Sequence, residues 1–121
     1  FKNHPCTKWA AELPENCAWL IQHACAMCTE FRVRYGKAHG LEKSVFDSKR
    51  LFHRETGELI TCHKDVIKFA RAMPDELKYD DTIDDITAYR RFMNTKEWAF
   101  HNYLKRPDRR PDWLLEPQNN V

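Results

Sequence analysis

From Glu15 to Tyr35 the chain runs without a glycine or a proline, and then it meets Gly36. Within that run Leu20, Ala24, Met27, Phe31 and Tyr35 fall at i, i+4, i+7, i+11 and i+15, which is the period of an α-helix. A glycine directly after the last periodic residue supplies the left-handed stop that ends many helices. The run therefore predicts one long helix as the spine of the fold.

The flanking sequence predicts shorter helices around it. Asn3-His4-Pro5 reads as a turn feeding a short helix that ends near Leu13-Pro14, since proline fits a first helical turn. Ser44 is a candidate cap for a helix carrying Val45, Phe46, Leu51 and Phe52, closed by Thr56-Gly57. Glu58 to Cys62 reads as a short strand or extended link, and Asp65 to Met73 as helical through Val66, Ile67, Phe69 and Ala70, up to Pro74. Thr82-Ile83-Asp84-Asp85 resembles a capping box opening a helix with Ile86, Tyr89, Phe92 and Met93. Thr95 can cap another through Trp98, Phe100 and Leu104. Pro107 and Pro111 impose an irregular basic tail in which Trp113-Leu114-Leu115 folds back, and Glu116 to Val121 frays. Trp9, Trp19, Phe31 and Phe92 are the first candidates for the core, with Tyr35, Tyr89 and Trp113 behind them. The fold class is mainly α: a single compact helical domain, 1–121, around one long central helix.

Length supports that reading, because 121 residues can bury about two thirds of the surface their unfolded chain exposes, enough for one core. Five cysteines, with Cys25 and Cys28 inside the helical run, do not form a disulfide framework and point to reduced thiols in a cytoplasmic setting. No run of 18 apolar residues and no signal-like start is present, so no membrane partner is expected. The first residue is Phe rather than Met, which suggests a trimmed chain or the C-terminal part of a longer product.

The net charge of +2 is small, but it is unevenly placed. Arg32 to Arg54 holds seven Lys and Arg against two acids, and Tyr89 to Arg110 repeats that ratio. Pro74 to Asp85 holds six acids against Lys78 alone. If both basic segments lie on one side, they form a surface that tracks phosphates. If they alternate with acids on solvated helix faces, they neutralise one another.

The chemistry-bearing residues are sparse. His23, Cys25 and Cys28, with Cys62-His63, invite a metal reading, but a structural zinc site takes its Cys-x-x-Cys from a tight turn, and residues three apart in a helix only share a face. No metal and no cofactor is assigned. His4 with Cys6, and Cys62 with His63, are adjacent without the environment a nucleophilic thiol needs. Glu30 and Arg34 suit an ordinary ion pair. No phosphate-cradling glycine loop, metalloprotease motif or nucleophile elbow occurs. The clearest mixtures of cations and rings are Arg34-Tyr35 with Lys37 and His39, and Tyr89-Arg90-Arg91 with Lys96 and Trp98. In them Arg34, Lys37, Arg90 and Lys96 would contact phosphates, and Tyr35 or His39 would lie near a displaced base. As structure, the cations would simply complement a helix end.

An ordered set of motifs carries a resemblance: Asn3-His4-Pro5 with Trp9; Trp19-Leu20; Arg34-Tyr35-Gly36-Lys37 with His39; Ala72-Met73-Pro74-Asp75-Glu76; Ala88-Tyr89-Arg90 with Lys96; and Arg110-Pro111 with Trp113. Over Asn3 to Trp113 the chain resembles small bacteriophage proteins, some labelled pyrimidine dimer DNA glycosylases of the endonuclease V type. That resemblance implies a mostly helical protein acting on or near DNA in an infected bacterium, with glycosylase-like activity as the enzymatic form. It assigns no catalytic residue. The expected function is thus DNA binding linked to repair, through Arg34, Tyr35, Lys37, His39, Tyr89, Arg90 and Lys96. The alternative is a non-catalytic interaction protein, a virion component or an inhibitor of a host enzyme, whose Asp75 to Asp85 stretch faces a protein partner.

Overall fold

The computed structural model describes residues 2–58 and 68–117. It is mainly helical: among the described residues there are six α-helices, one 3-10 turn and no strand. The chain groups into two compact units, Phe1–Phe69 and Ala70–Val121.

The first unit contains α1 (Pro5–Glu12), α2 (Pro14–Tyr35) and α3 (Glu42–Thr56), with α2 packing against both neighbours. Pro5 opens α1 behind His4, whose Nδ1 accepts the Cys6 N–H at 3.1 Å and caps an otherwise unpaired donor. Pro14 opens α2 in the same way, and Leu13 is the only residue between the two helices. Gly36 ends α2 at φ 69° and Gly57 ends α3 at φ 72°, a left-handed conformation that costs other residues dearly. The predicted Ser44 cap is displaced. α3 starts at Glu42 with Leu41 at the cap position, and Ser44 lies inside the first turn, where its carbonyl accepts from Ser48 Oγ.

Packing also departs from the stripe that gives α2 its period. A stripe of that kind ordinarily faces a core, yet Leu20 and Met27 are 36% and 59% exposed. The buried positions of α2 are Asn16, Ala18 and Cys28. Phe52 of α3 closes on Ala18, with Cys17 and Ile21 packed against the pair. Ala18, Ile21, Cys25 and Cys28 form a second helical stripe of mostly smaller side chains, and those let a neighbouring helix approach closely where Leu and Met would hold it away. Trp9, Trp19 and Phe31 are half-buried rather than central. Trp9 meets Trp19 edge-on at 6.0 Å, and Phe69 tilts against both, at 5.5 Å and 4.6 Å. Trp9 Nε1 donates to the Lys68 carbonyl at 2.9 Å.

The second unit holds α4 (Asp75–Lys78), α5 (Asp85–Met93), α6 (Glu97–His101) and a 3-10 turn at Pro107–Arg109. The helix expected over Asp65 to Met73 is not formed at residues 68–73, which are irregular, and its first residues lie outside the described ones, as do Leu59 to Cys62 of the expected strand. Pro74 precedes a helix instead of ending one. Residues 70–72 give their hydrogen bonds to a side chain: the Tyr89 hydroxyl donates to the Ala70 carbonyl and accepts the Ala72 N–H. Such pairing suits a segment whose backbone has no helical partner.

Arg71 organises the acidic stretch. Its Nε donates to Asp85 Oδ1 at 2.6 Å, Nη1 donates to the carbonyls of Leu77 and Asp80, and Nη2 donates to that of Ile83. The cap of α5 is Asp84, whose Oδ1 accepts the Thr87 N–H at 2.7 Å, in place of the predicted Thr82. Thr82 is turned back to Asp80, through both its N–H and its hydroxyl. α6 is capped at Lys96 rather than Thr95, whose hydroxyl donates to the Phe92 carbonyl. Among the described residues of this unit Ala88, Ala99 and Leu114 are buried, so the tail does fold back. Asn94 holds it, donating from Nδ2 to the Trp113 carbonyl at 2.9 Å and accepting the Leu115 N–H at 2.8 Å.

Candidate nucleic-acid interface

The cations of Arg32 to Arg54 are largely answered by neighbouring acids. Arg32 forks onto Glu42, with Nε to Oε1 and Nη2 to Oε2 both 2.6 Å, which ties the last turn of α2 to the first of α3. Arg32 beside it holds the Glu42 carboxyl below the usual carboxylate range. Asp47 serves both Lys43 and Arg50, whose donated bonds likewise hold its carboxyl low, and Arg54 faces Glu55.

In the same unit the candidate set Arg34, Tyr35, Lys37 and His39 gathers around the end of α2. Arg34 pairs with Glu30 at 3.5 Å, the helical i,i+4 arrangement, and its side chain is 17% exposed. Phe31 packs against Tyr35 at 4.7 Å and against His39 edge-on at 4.9 Å. His39 Nδ1 accepts the Leu41 N–H, so this imidazole shapes the turn into α3. Lys37 is the exposed cation of the group.

Tyr89, Arg90 and Lys96 belong to the other unit. Tyr89 is taken up by residues 70–72, as described. Arg90 Cζ lies 5.4 Å from the ring centre of Trp113, and Lys96 Nζ lies 4.9 Å from that of Phe92. Arg110, which the site reading did not single out, completes the pattern: its Cζ is 5.0 Å from the Phe100 ring centre, and its Nη1 donates to the Leu114 carbonyl. Three cations thus stand with their charged groups over three rings between residues 90 and 113. Among the described residues none of Arg90, Arg91 and Lys96 forms an ion pair with a carboxylate. Arg90 and Arg91 do act at longer range on Asp84 and Asp80, whose carboxyls are held low first by hydrogen bonds from Thr87 and Thr82.

The acidic stretch is partly consumed by structure: Asp84 caps, Asp85 pairs with Arg71, and Asp80 accepts from Thr82. Asp75, Glu76 and Asp81 stand exposed. Among the described residues no three His, Cys, Asp or Glu side chains converge as metal ligands, and Cys62 and His63 lie outside them. His23 stacks on Trp19 at 4.9 Å with 11° between the rings, and partial desolvation lowers its pKa although the residue is exposed. Desolvation raises the Cys28 thiol, with Glu42 and Cys25 adding to it. No helix among the described residues is long and apolar enough to cross a membrane. No protein-family model matches the chain, and no curated protein or solved structure is significantly similar to it.

Proposed function

We propose that the chain is a DNA-binding protein of the phage type, acting in or beside repair, and that the basic segment of the second unit contacts the phosphate backbone. The observation that supports this is the row of Arg90, Lys96 and Arg110 over Trp113, Phe92 and Phe100. Each ring holds the charged group of a cation in place by a cation–π contact, which lowers the entropy lost when a phosphate is bound. Lys37, with Arg34 behind it, is the corresponding contact of the first unit.

Binding of this kind releases counterions and weakens steeply with salt. The test is fluorescence anisotropy of the purified chain with duplex and single-stranded DNA, intact and ultraviolet-damaged, at low and moderate salt. Arg90→Ala and Lys37→Ala weaken binding to all sequences alike, and a preference for damaged duplex supports the repair link. Unchanged affinity in both variants rejects the site. Absence of any binding at low salt favours the second reading, a protein-interaction role, for which the observation is the acidic loop pinned by Arg71 with Asp75, Glu76 and Asp81 outward.

A further inference from the structure

Trp98 is 55% exposed on α6, one residue before the buried Ala99. Successive helical residues point about 100° apart, so burying Ala99 against the unit leaves Trp98 turned toward solvent. The other rings of this region are engaged. Phe92, Phe100 and Trp113 each lie beneath a cation, and the Tyr89 hydroxyl is held by Ala70 and Ala72. Among the described residues no ring stacks on Trp98 and no cation stands over it. It sits within the segment from Tyr89 to Arg110 that carries seven Lys and Arg against two acids. An indole more than half exposed in a positive setting matches the two parts of a single-strand binding surface, a stacking platform and an electrostatic track.

The geometry points to Trp98 as a stacking platform for an unpaired or displaced base, which makes single-stranded DNA, or a duplex with an extruded nucleotide, the preferred ligand. This rests on the DNA-binding reading above and narrows it. A paired base inside a duplex has both faces covered by its neighbours, so an exposed indole gains nothing from it. Tyr35 and His39 are less suited to the role, because both pack against Phe31.

The test compares wild type, Trp98→Ala, Trp98→Phe and the Arg90→Ala, Lys96→Ala double variant. Each is bound to a fluorescein-labelled oligothymidylate of about 15 nucleotides, within the span such surfaces cover, and to a duplex of equal length. Circular dichroism checks that each variant keeps its helices. The expected result is tighter binding of the single strand by wild type and a loss of about 5- to 100-fold in Trp98→Ala. Trp98→Phe recovers much of that loss, and the double variant weakens on both ligands. Quenching of tryptophan emission by the oligonucleotide is lost in Trp98→Phe. Equal affinity for both ligands with no effect of Trp98→Ala, while the double variant weakens, overturns the stacking role and leaves the DNA-binding reading standing. No binding of either oligonucleotide at low salt overturns both.

Discussion

Arg71 and Asp85 form an ion pair nearly closed to solvent, with Nε to Oδ1 at 2.6 Å and side chains 12% and 15% exposed. The remaining guanidinium donors go to three backbone carbonyls, so one side chain sets the path of the chain from Leu77 to Asp85. Removing one partner of such a pair leaves a buried charge unanswered, and here it also leaves three carbonyls short of donors. Arg71→Ala should therefore destabilise the second unit by about 3–5 kcal/mol. Arg71→Lys should recover only part of this, since an ammonium cannot reproduce the planar fork. Thermal unfolding of the two variants checks it, and a loss below about 1 kcal/mol in Arg71→Ala, the scale of a surface pair, would contradict the pinning role.

His23 provides a pH dependence with a definite sign. Partial desolvation of this otherwise exposed ring lowers its pKa from an ordinary value near 6.5, so the unfolded chain takes up this proton more readily than the folded one. Its contribution to stability is present above pH 6.5 and is lost as pH falls through the lower folded value. Trp19 emission should change over that same interval, because protonation alters the stacked ring. His23→Gln should flatten the stability profile there while keeping the steeper fall below about pH 4. That acid fall comes from Glu42, Asp47, Asp80, Asp84 and Asp108, whose folded pKa values all lie below their ordinary ones. A His23→Gln profile identical to wild type would remove His23 from the account.

Ala18 and Ala88 sit at closely packed positions in different units, 1% and 0% exposed. Leucine at either site overpacks its surroundings and should cost about 1–3 kcal/mol. Fluorine NMR of fluorotryptophan-labelled protein in urea assigns the loss: Ala18→Leu should shift the midpoints of Trp9 and Trp19, and Ala88→Leu those of Trp98 and Trp113. Joint movement of all four signals in both variants would show a single cooperative transition instead of two.

Cys28 is buried and its thiol is raised by desolvation, so it should be the slowest of Cys6, Cys17, Cys25 and Cys28 to alkylate in the native state. Peptide mapping after timed iodoacetamide treatment gives the order. Modification of Cys28 ahead of Cys25 would contradict the packing of α3 over that face of α2.

The helical class, the long helix with its Gly36 stop and the Gly57 stop were legible, because each rests on a local signal that one residue type carries strongly, and the tail's return was legible only as an apolar Trp113-Leu114-Leu115 with no place assigned to it. Which face of α2 is buried was not legible. Periodicity in residue size favoured Leu20 and Met27, whereas close helix approach favours the smaller Ala18 and Cys28. Caps shifted by three residues at α3, from Ser44 to Leu41, where no side chain caps the helix, and by two at α5, from Thr82 to Asp84, where two oxygen-bearing side chains compete for the same donors. At the site, Arg90 and Lys96 keep surface positions, but their pairing with Trp113 and Phe92, and the part played by Arg110, depend on a tail whose return no local pattern positions. Arg71 gave no signal either, since its acceptors are mostly backbone carbonyls, which every residue possesses.

The bond from the Trp9 indole to the Lys68 carbonyl spans 59 residues of sequence. During synthesis α1, α2 and α3 can each form soon after they emerge, since their contacts are between neighbours in the chain. The Trp9 and Trp19 rings, however, wait for Phe69 to leave the ribosome before they are covered. Until then the nascent chain carries two indoles that lack their Phe69 contacts, the kind of surface that holding chaperones bind. The delay between the emergence of Trp19 and the emergence of Phe69 therefore sets how long the newborn first unit stays sticky.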